Sequence, residues 1–191
     1  MKKTQAMKKI AAFLGVALVT TVAMAESEPI QLSLTPDIAL YDRSTMINGL
    51  TLSIWGENQQ NGLALGIING SFGQSAGLSV GVINYAENYK GVQGGLINFT
   101  EKNCGGWQGG PLFGLLLSVV NYTGGTMEGF QCGLVNYAGT LTGLQFGVVN
   151  YAEIADSGVQ IGVLNIMPQN ECFTRLPDEL APAMILVNWR F

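Results

Sequence analysis

The decapeptide GLQFGVVNYA, residues 143–152, sets the reading of this chain because it recurs. Near-copies are GLSVGVINYA from Gly77, GVQGGLINFT from Gly91, GFQCGLVNYA from Gly129 and GVQIGVLNIM from Gly158. Aligned as G-Φ-x-Φ-G-Φ-Φ-N-aromatic, with Φ apolar, the phrase starts at Gly62, Gly77, Gly91, Gly114, Gly129, Gly143 and Gly158. The steps are 15, 14, 23, 15, 14 and 15 residues, and TEKNCGGWQGGPLF, residues 100–113, absorbs the long one. A weaker copy, GLTLSIWG, begins at Gly49. A period repeated this often predicts an architecture of stacked or serially added units.

Each phrase is rich in Val, Ile, Leu and aromatics and is bounded by Gly, Asn, Asp, Glu and Lys, the pattern of a strand followed by a turn. No segment of helical period interrupts the series. With IQLSLTPDIAL near the start and MILVNWRF at the end, the chain is expected to be all-β with about ten short strands. Apart from Asp37 and Arg190, the charged residues after the N-terminal lead fall in turns and loops, and the repeat phrases hold none. Strands that avoid charge on both faces are expected to have neither face in bulk water.

One housing for such strands is an antiparallel up-and-down β-barrel. Nine residues at about 3.4 Å each, tilted by about 40°, span roughly 23 Å, close to the apolar band of an outer-membrane barrel. Alternating strand direction would place Trp55, Tyr85, Tyr122 and Tyr151 at one rim and Phe99 and Tyr137 at the other. It would also put the long loops 100–113 and 167–182 at one end, making Cys104 and Cys172 candidates for a disulfide. Asn84, Asn98, Asn121, Asn136, Asn150 and Asn165 would line the lumen. Gln93, Gln131, Gln145 and Gln160 would be further candidates for a polar lining. The third cysteine, Cys132, lies inside a phrase and reads as an apolar filler.

The first 25 residues carry Lys2, Lys3, Lys8 and Lys9, an apolar stretch from Ile10 to Val22, and Ala23-Met24-Ala25. This is the pattern of a secretory signal peptide, with residues 26–191 as a single repeat-built domain. Setting aside those four lysines leaves five basic against thirteen acidic residues, a net charge of −8, which argues against a nucleic-acid partner. The chain has no His, so no His general base, His metal ligand or Ser-His-Asp triad exists. Glu101, Asp178 and Glu179 are the only carboxylates placed for catalysis or Ca²⁺, and as loop charges they read as solvated. No enzymatic activity, cofactor or metal is expected.

Three resemblances bear on location. Ile185, Val187, Trp189 and the terminal Phe191 alternate, and this ending resembles the last-strand assembly signal of bacterial outer-membrane barrels. It implies a Gram-negative host, outer-membrane lipid and the barrel-assembly machinery as partners. Residues 47–191 resemble bacterial surface-repeat proteins of the leptospiral type, built from G-Φ-Q-Φ-G-Φ-Φ-N units, which implies a cell-envelope location. Gln145, Gly147, Asn150 and Ala152, with Gln131, Gly133, Asn136 and Ala138, resemble the Q-x-G-x-x-N-x-A core of curlin repeats. That likeness implies the alternative fold, an exported β-solenoid of 14–15-residue coils with stacked polar ladders that binds a partner or assembles. Because 14 residues leave little room for two strands and two turns, the barrel is the favoured expectation. One tension remains in the phrase itself: Leu78, Val80, Val82 and Asn84 share one face of a straight strand, and the aromatic shares the other with the glutamines. A bulge near the Asn would reconcile them.

Overall fold

The computed structural model describes residues 27–110 and 118–191, all strand, turn and loop. The expected signal peptide and Gly114 lie outside these residues. The strands are β1 (Ser27–Thr35), β2 (Ile38–Ala39), β3 (Met46–Glu57), β4 (Gln60–Val80) and β5 (Ile83–Gly94). They continue with β6 (Ile97–Thr100), β7 (Cys104–Gly109), β8 (Ser118–Ile166) and β9 (Ala183–Arg190). With 49 residues, β8 would be roughly 160 Å long if straight. It instead winds through several coils, stacking its own repeats on one another.

Successive repeats pair in parallel and in register. Gly49 stands opposite Gly62, Gly77 opposite Gly91, Gly91 opposite Gly106 and Gly106 opposite Gly129. The asparagines follow the same rule, Asn69 with Asn84, Asn84 with Asn98 and Asn98 with Asn121. Each repeat is therefore one coil of a β-solenoid of about six turns. The expected antiparallel barrel is corrected: equivalent residues are neighbours on adjacent coils, whereas a meander would have sent them to opposite rims.

The physical reason lies inside the phrase, which is not one strand. It turns a corner near its second glycine, so Ser79 and Asn84, five residues apart and of opposite parity, are both buried. Gln93 and Asn98, Gln145 and Asn150, and Gln160 and Asn165 repeat the arrangement. A corner, rather than a bulge at the Asn, resolves the conflict between the two faces. Glycine lets a coil of this length close: a Cβ on Gly147 would sit 2.1 Å from the Gly133 carbonyl oxygen and 2.6 Å from Asn136 Nδ2. At Gly143 the backbone has φ +136°, and a Cβ would lie 2.1 Å from the carbonyl oxygen of Gly129.

The 23-residue step is also resolved. β7 stacks on β5 by its Gly106 and Gln108, an ordinary 15-residue step from Gly91 and Gln93. The added chain enters at the corner between Gly110 and Ser118, after which Val120 and Asn121 rejoin the register of Ile97 and Asn98. Part of the stretch read as a long loop, residues 104–109, is thus a regular rung.

Both ends of the stack are covered. At the N-terminal end β1 pairs in parallel with β3, and β2 folds back on β1 with Leu40 N–H donating to Leu32 O at 2.9 Å. At the C-terminal end β9 runs antiparallel along the last coil, Gly158 opposite Arg190 and Ile166 opposite Ala183. The outer edge of β9 is partly occupied in turn: Leu180 N–H donates to Trp189 O and Phe191 N–H to Asp178 O. Such caps end a solenoid, whose open rungs would otherwise template another strand.

Candidate functional site

The interior is filled by amides. Asn69, Asn84, Asn98, Asn121, Asn136, Asn150 and Asn165 form one uninterrupted ladder, each Nδ2 donating to the Oδ1 of the next at 2.8–3.0 Å. On the facing sheet Gln160, Gln145, Gln131, Gln108 and Gln93 form a second ladder at 2.7–2.9 Å. Its donors point toward the N-terminus, so the two ladders run with opposite polarity. The glutamine ladder ends on a buried Gln160 Oε1 with no donor, and the asparagine ladder ends at Asn165, whose Nδ2 donates to Gly162 O, while Asn188 Nδ2 donates to the Asn165 and Ala181 carbonyls. Hydrogen-bonded chains of this kind satisfy buried amides that would otherwise be costly. The six asparagines expected to line a lumen are instead fully buried and hydrogen-bonded to one another between the sheets.

Beside the ladders, Ala86, Tyr89, Cys104, Met127, Leu141 and Met167 form a small apolar core. Burial raises the Tyr89 hydroxyl well above the ordinary range and the Cys104 thiol to about 12. Cys132 is also buried, with its thiol pushed up by desolvation, while Cys172 is exposed, and all three are free. The suggested partners Cys104 and Cys172 therefore occupy different environments, one inside a rung and one on the C-terminal loop.

The outside carries three longitudinal features. The residues after Asn98, Asn121, Asn136 and Asn150 form an aromatic column: Phe99 stacks on Tyr122 at 4.8 Å, Tyr122 on Tyr137 at 4.7 Å, and Tyr137 on Tyr151 at 5.5 Å. These rings share one column because the coils are parallel, which corrects their expected division between two rims. The Tyr137 hydroxyl donates to Glu153 Oε1 at 2.5 Å, and that bond, with desolvation, raises it to about 12. Tyr85 accepts from Trp55 Nε1 at 3.1 Å, and burial raises its hydroxyl to about 12.

The second feature is an aliphatic edge. Two residues before each ladder Asn stand Ile67, Val82, Leu96, Val119, Leu134, Val148 and Val163. All but Leu96 are between 40% and 64% exposed. The backbone beneath them is satisfied from coil to coil: Val82 N–H donates to Ile67 O, Leu96 N–H to Val82 O and Val119 N–H to Leu96 O, at 2.8–2.9 Å. At the N-terminal end the edge meets a hollow of about 550 Å³ lined by Leu32, Leu34, Ile38, Leu40, Leu52 and Ile54. The third feature is the opposite corner, which carries the charges, among them the Lys102–Glu87 ion pair at 2.6 Å.

The C-terminal residues singled out in the sequence form the cap. In β9, Ile185 stands exposed, and Val187 and Trp189 pair with Ile161 and Val159. Trp189 Nε1 donates to Pro177 O at 2.8 Å, and Phe191 is exposed beyond the strand. Of the loop carboxylates, Glu179 is buried and committed: its Oε1 accepts from Glu171 N–H at 2.7 Å and its Oε2 faces Arg190 Nη1 at 3.3 Å. Asp178 and Glu101 are exposed. Sequence reading missed Gln108 as a ladder member and the aliphatic edge as a surface; the Gly106-x-Gln108 spacing was the available signal for the first.

No protein-family model, curated protein or solved structure matches this chain. Its possible roles therefore rest on this geometry.

Proposed function

We propose that the chain is an exported, non-enzymatic β-solenoid of the bacterial cell envelope that acts as a scaffold, binding through its outer surface. The observation that carries this reading is an inversion of polarity: amide ladders fill the interior, while aliphatic and aromatic columns face outward. A soluble domain ordinarily keeps large contiguous apolar patches inside, and their exposure marks an interaction surface. The basic, apolar and small-residue segments of residues 1–25 support export. The titratable groups with large upward shifts, Tyr85, Tyr89, Cys104 and Tyr137, are held protonated, a poor state for a nucleophile or base.

A second reading, axial assembly into fibres, draws on the polar ladders, which resemble those of curlin repeats. The covered ends count against it, since β9 lies antiparallel along the last coil and its outer edge is itself partly paired. Fractionation of the native host, with amyloid-dye binding of the purified chain, separates the two. The scaffold reading expects envelope-associated protein with no dye-binding fibrils. Cytosolic protein would overturn it, and fibrils seeded by the folded chain would favour assembly.

A further inference from the structure

The glutamine ladder does not run the length of the stack. Its column passes from Gln93 to Ser79, which stands opposite it on the preceding coil, and then to Ala64, two residues after the stacked Gly62 as Ser79 is after Gly77. From Gln160 down to Gln108 each Nε2 finds the Oε1 of the glutamine one coil earlier. Gln93 meets a serine there, and the Ser79 hydroxyl is committed to Asn84 Oδ1 at 2.8 Å. Serine and alanine are also shorter than glutamine, so the residues that end the ladder leave room beside it.

Gln60 and Tyr89 are each only 4% exposed, yet Gln60 Nε2 and the Tyr89 hydroxyl have no hydrogen-bond partner among the described residues. Both residues line one interior cavity, together with Ala64, Ser71, Ser79 and Gln93. Within it the centre of a water-sized molecule has about 10 Å³ of room. The end of the ladder and two unpartnered polar groups thus share one small space.

We propose that this cavity is a binding site for a single water molecule, which bridges Gln60 Nε2 and the Tyr89 hydroxyl at the N-terminal end of the glutamine ladder. Size excludes a larger ligand, since room of about 10 Å³ suits one water. The lining carries no charged side chain, so an ion would be buried without a counter-charge. The partners require a ligand that accepts from an amide N–H and also pairs with a hydroxyl, and water does both. A buried amide or hydroxyl left unpaired is costly, and one bridging water removes that cost for the two groups together. Where the column carries Ser79 and Ala64, water takes over the pairing that glutamine side chains supply from Gln93 onward.

The test joins a high-resolution crystal structure of the folded chain to urea unfolding of Tyr89→Phe. The expected density shows one ordered water within roughly 2.7–3.2 Å of both Gln60 Nε2 and the Tyr89 hydroxyl oxygen. No solvent peak in the cavity, a peak that refines as an ion, or Gln60 and Tyr89 bonded directly to protein groups would overturn the proposal. Y89F removes only the hydroxyl, and the sign of its effect reports whether that group is paired. A hydroxyl that holds the water leaves it short of a partner when removed, and the urea midpoint falls. Removing an unpaired hydroxyl relieves a buried polar group instead, so a midpoint that stays or rises would contradict the site. Gln60→Met is expected to lower the midpoint too, and in combination with Y89F to add less than its full effect, because both changes act on the same water. Additive effects would separate the two groups and overturn the bridge. Should either variant fail to fold, the solvent density of the unsubstituted chain decides alone.

Discussion

Asn98 donates through Nδ2 to Asn121 Oδ1 at 2.9 Å, although 23 residues separate them where the other ladder steps span 14 or 15. The ladder is therefore continuous across an insertion, and the fold is held by register rather than by constant spacing. Inserted chain leaves at a corner, where it displaces no rung, so the repeat tolerates it there.

A break in the middle of that ladder is expected to be costly. Asn136 accepts from Asn121 and donates to Asn150 and to Phe146 O, all at 2.8–2.9 Å. Asn136→Ala leaves buried donors and acceptors unpaired and should lower unfolding free energy by about 2–4 kcal/mol in urea titration. Asn61→Ala, whose side chain is exposed, should stay within about 0.5 kcal/mol. Equal effects would mean that the interior amides do not form the ladder.

Glycine substitutions should divide by position. Gly143→Ala meets both a φ of +136° and a carbonyl oxygen 2.1 Å from the new Cβ, and should cost about 3 kcal/mol or more, or prevent folding. Gly105→Ala meets nothing nearer than Lys90 Cγ at 3.9 Å and should be close to neutral by thermal melting. A tolerant Gly143 would contradict the close stacking of rungs.

Stability should fall in alkali. Tyr85, Tyr137 and Cys104 have folded values of about 12, above the ordinary 10.0 for Tyr and 9.0 for Cys. The unfolded chain therefore loses these protons first, and the folded state is relatively destabilised as pH rises. Their contribution is whole below about pH 9 and is lost progressively toward pH 12. Denaturant midpoints across this window check it, and a midpoint that rises with pH would reverse the assignment.

Thiol labelling of the native chain should distinguish the cysteines. Cys172 is exposed, whereas burial holds Cys104 at about 12 and raises Cys132. An alkylating agent at mildly basic pH should modify Cys172 first, with Cys104 and Cys132 reacting only after unfolding. Mass mapping reads the order.

Much of this was legible in the sequence, but in the wrong geometry. The repeat, the all-β class and the recurring Asn and Gln are visible in GLQFGVVNYA, and the Q-x-G-x-x-N-x-A spacing already pointed to stacked ladders. What misled was treating the phrase as one straight strand, which makes Gln145 and Asn150 face opposite ways. A corner near Gly147 turns both inward, and it was obscured because glycine in a strand also signals a bulge or a close contact. The absence of charge from both faces was read as a membrane span. It instead reflects an amide-filled interior and an aliphatic exterior, with Glu87, Lys102 and their kin sorted to one corner. Gln108 was hidden because the insertion after Gly110 split its coil, so an alignment keyed on whole phrases began the unit at Gly114.

The most direct test of the parallel, in-register solenoid is a cross-link between equivalent residues of adjacent coils. Ile83 and Ile97 stand opposite each other in the parallel pairing of β5 and β6. With Cys172 replaced by Ser, the paired variant Ile83→Cys, Ile97→Cys should oxidise to an intramolecular disulfide, because neighbouring parallel strands bring Cα atoms within the roughly 4.4–6.8 Å a disulfide requires. Thiols left free at positions 83 and 97 of the folded chain, in addition to those of Cys104 and Cys132, would contradict the account, since an antiparallel arrangement of the same repeats sends those residues to opposite ends.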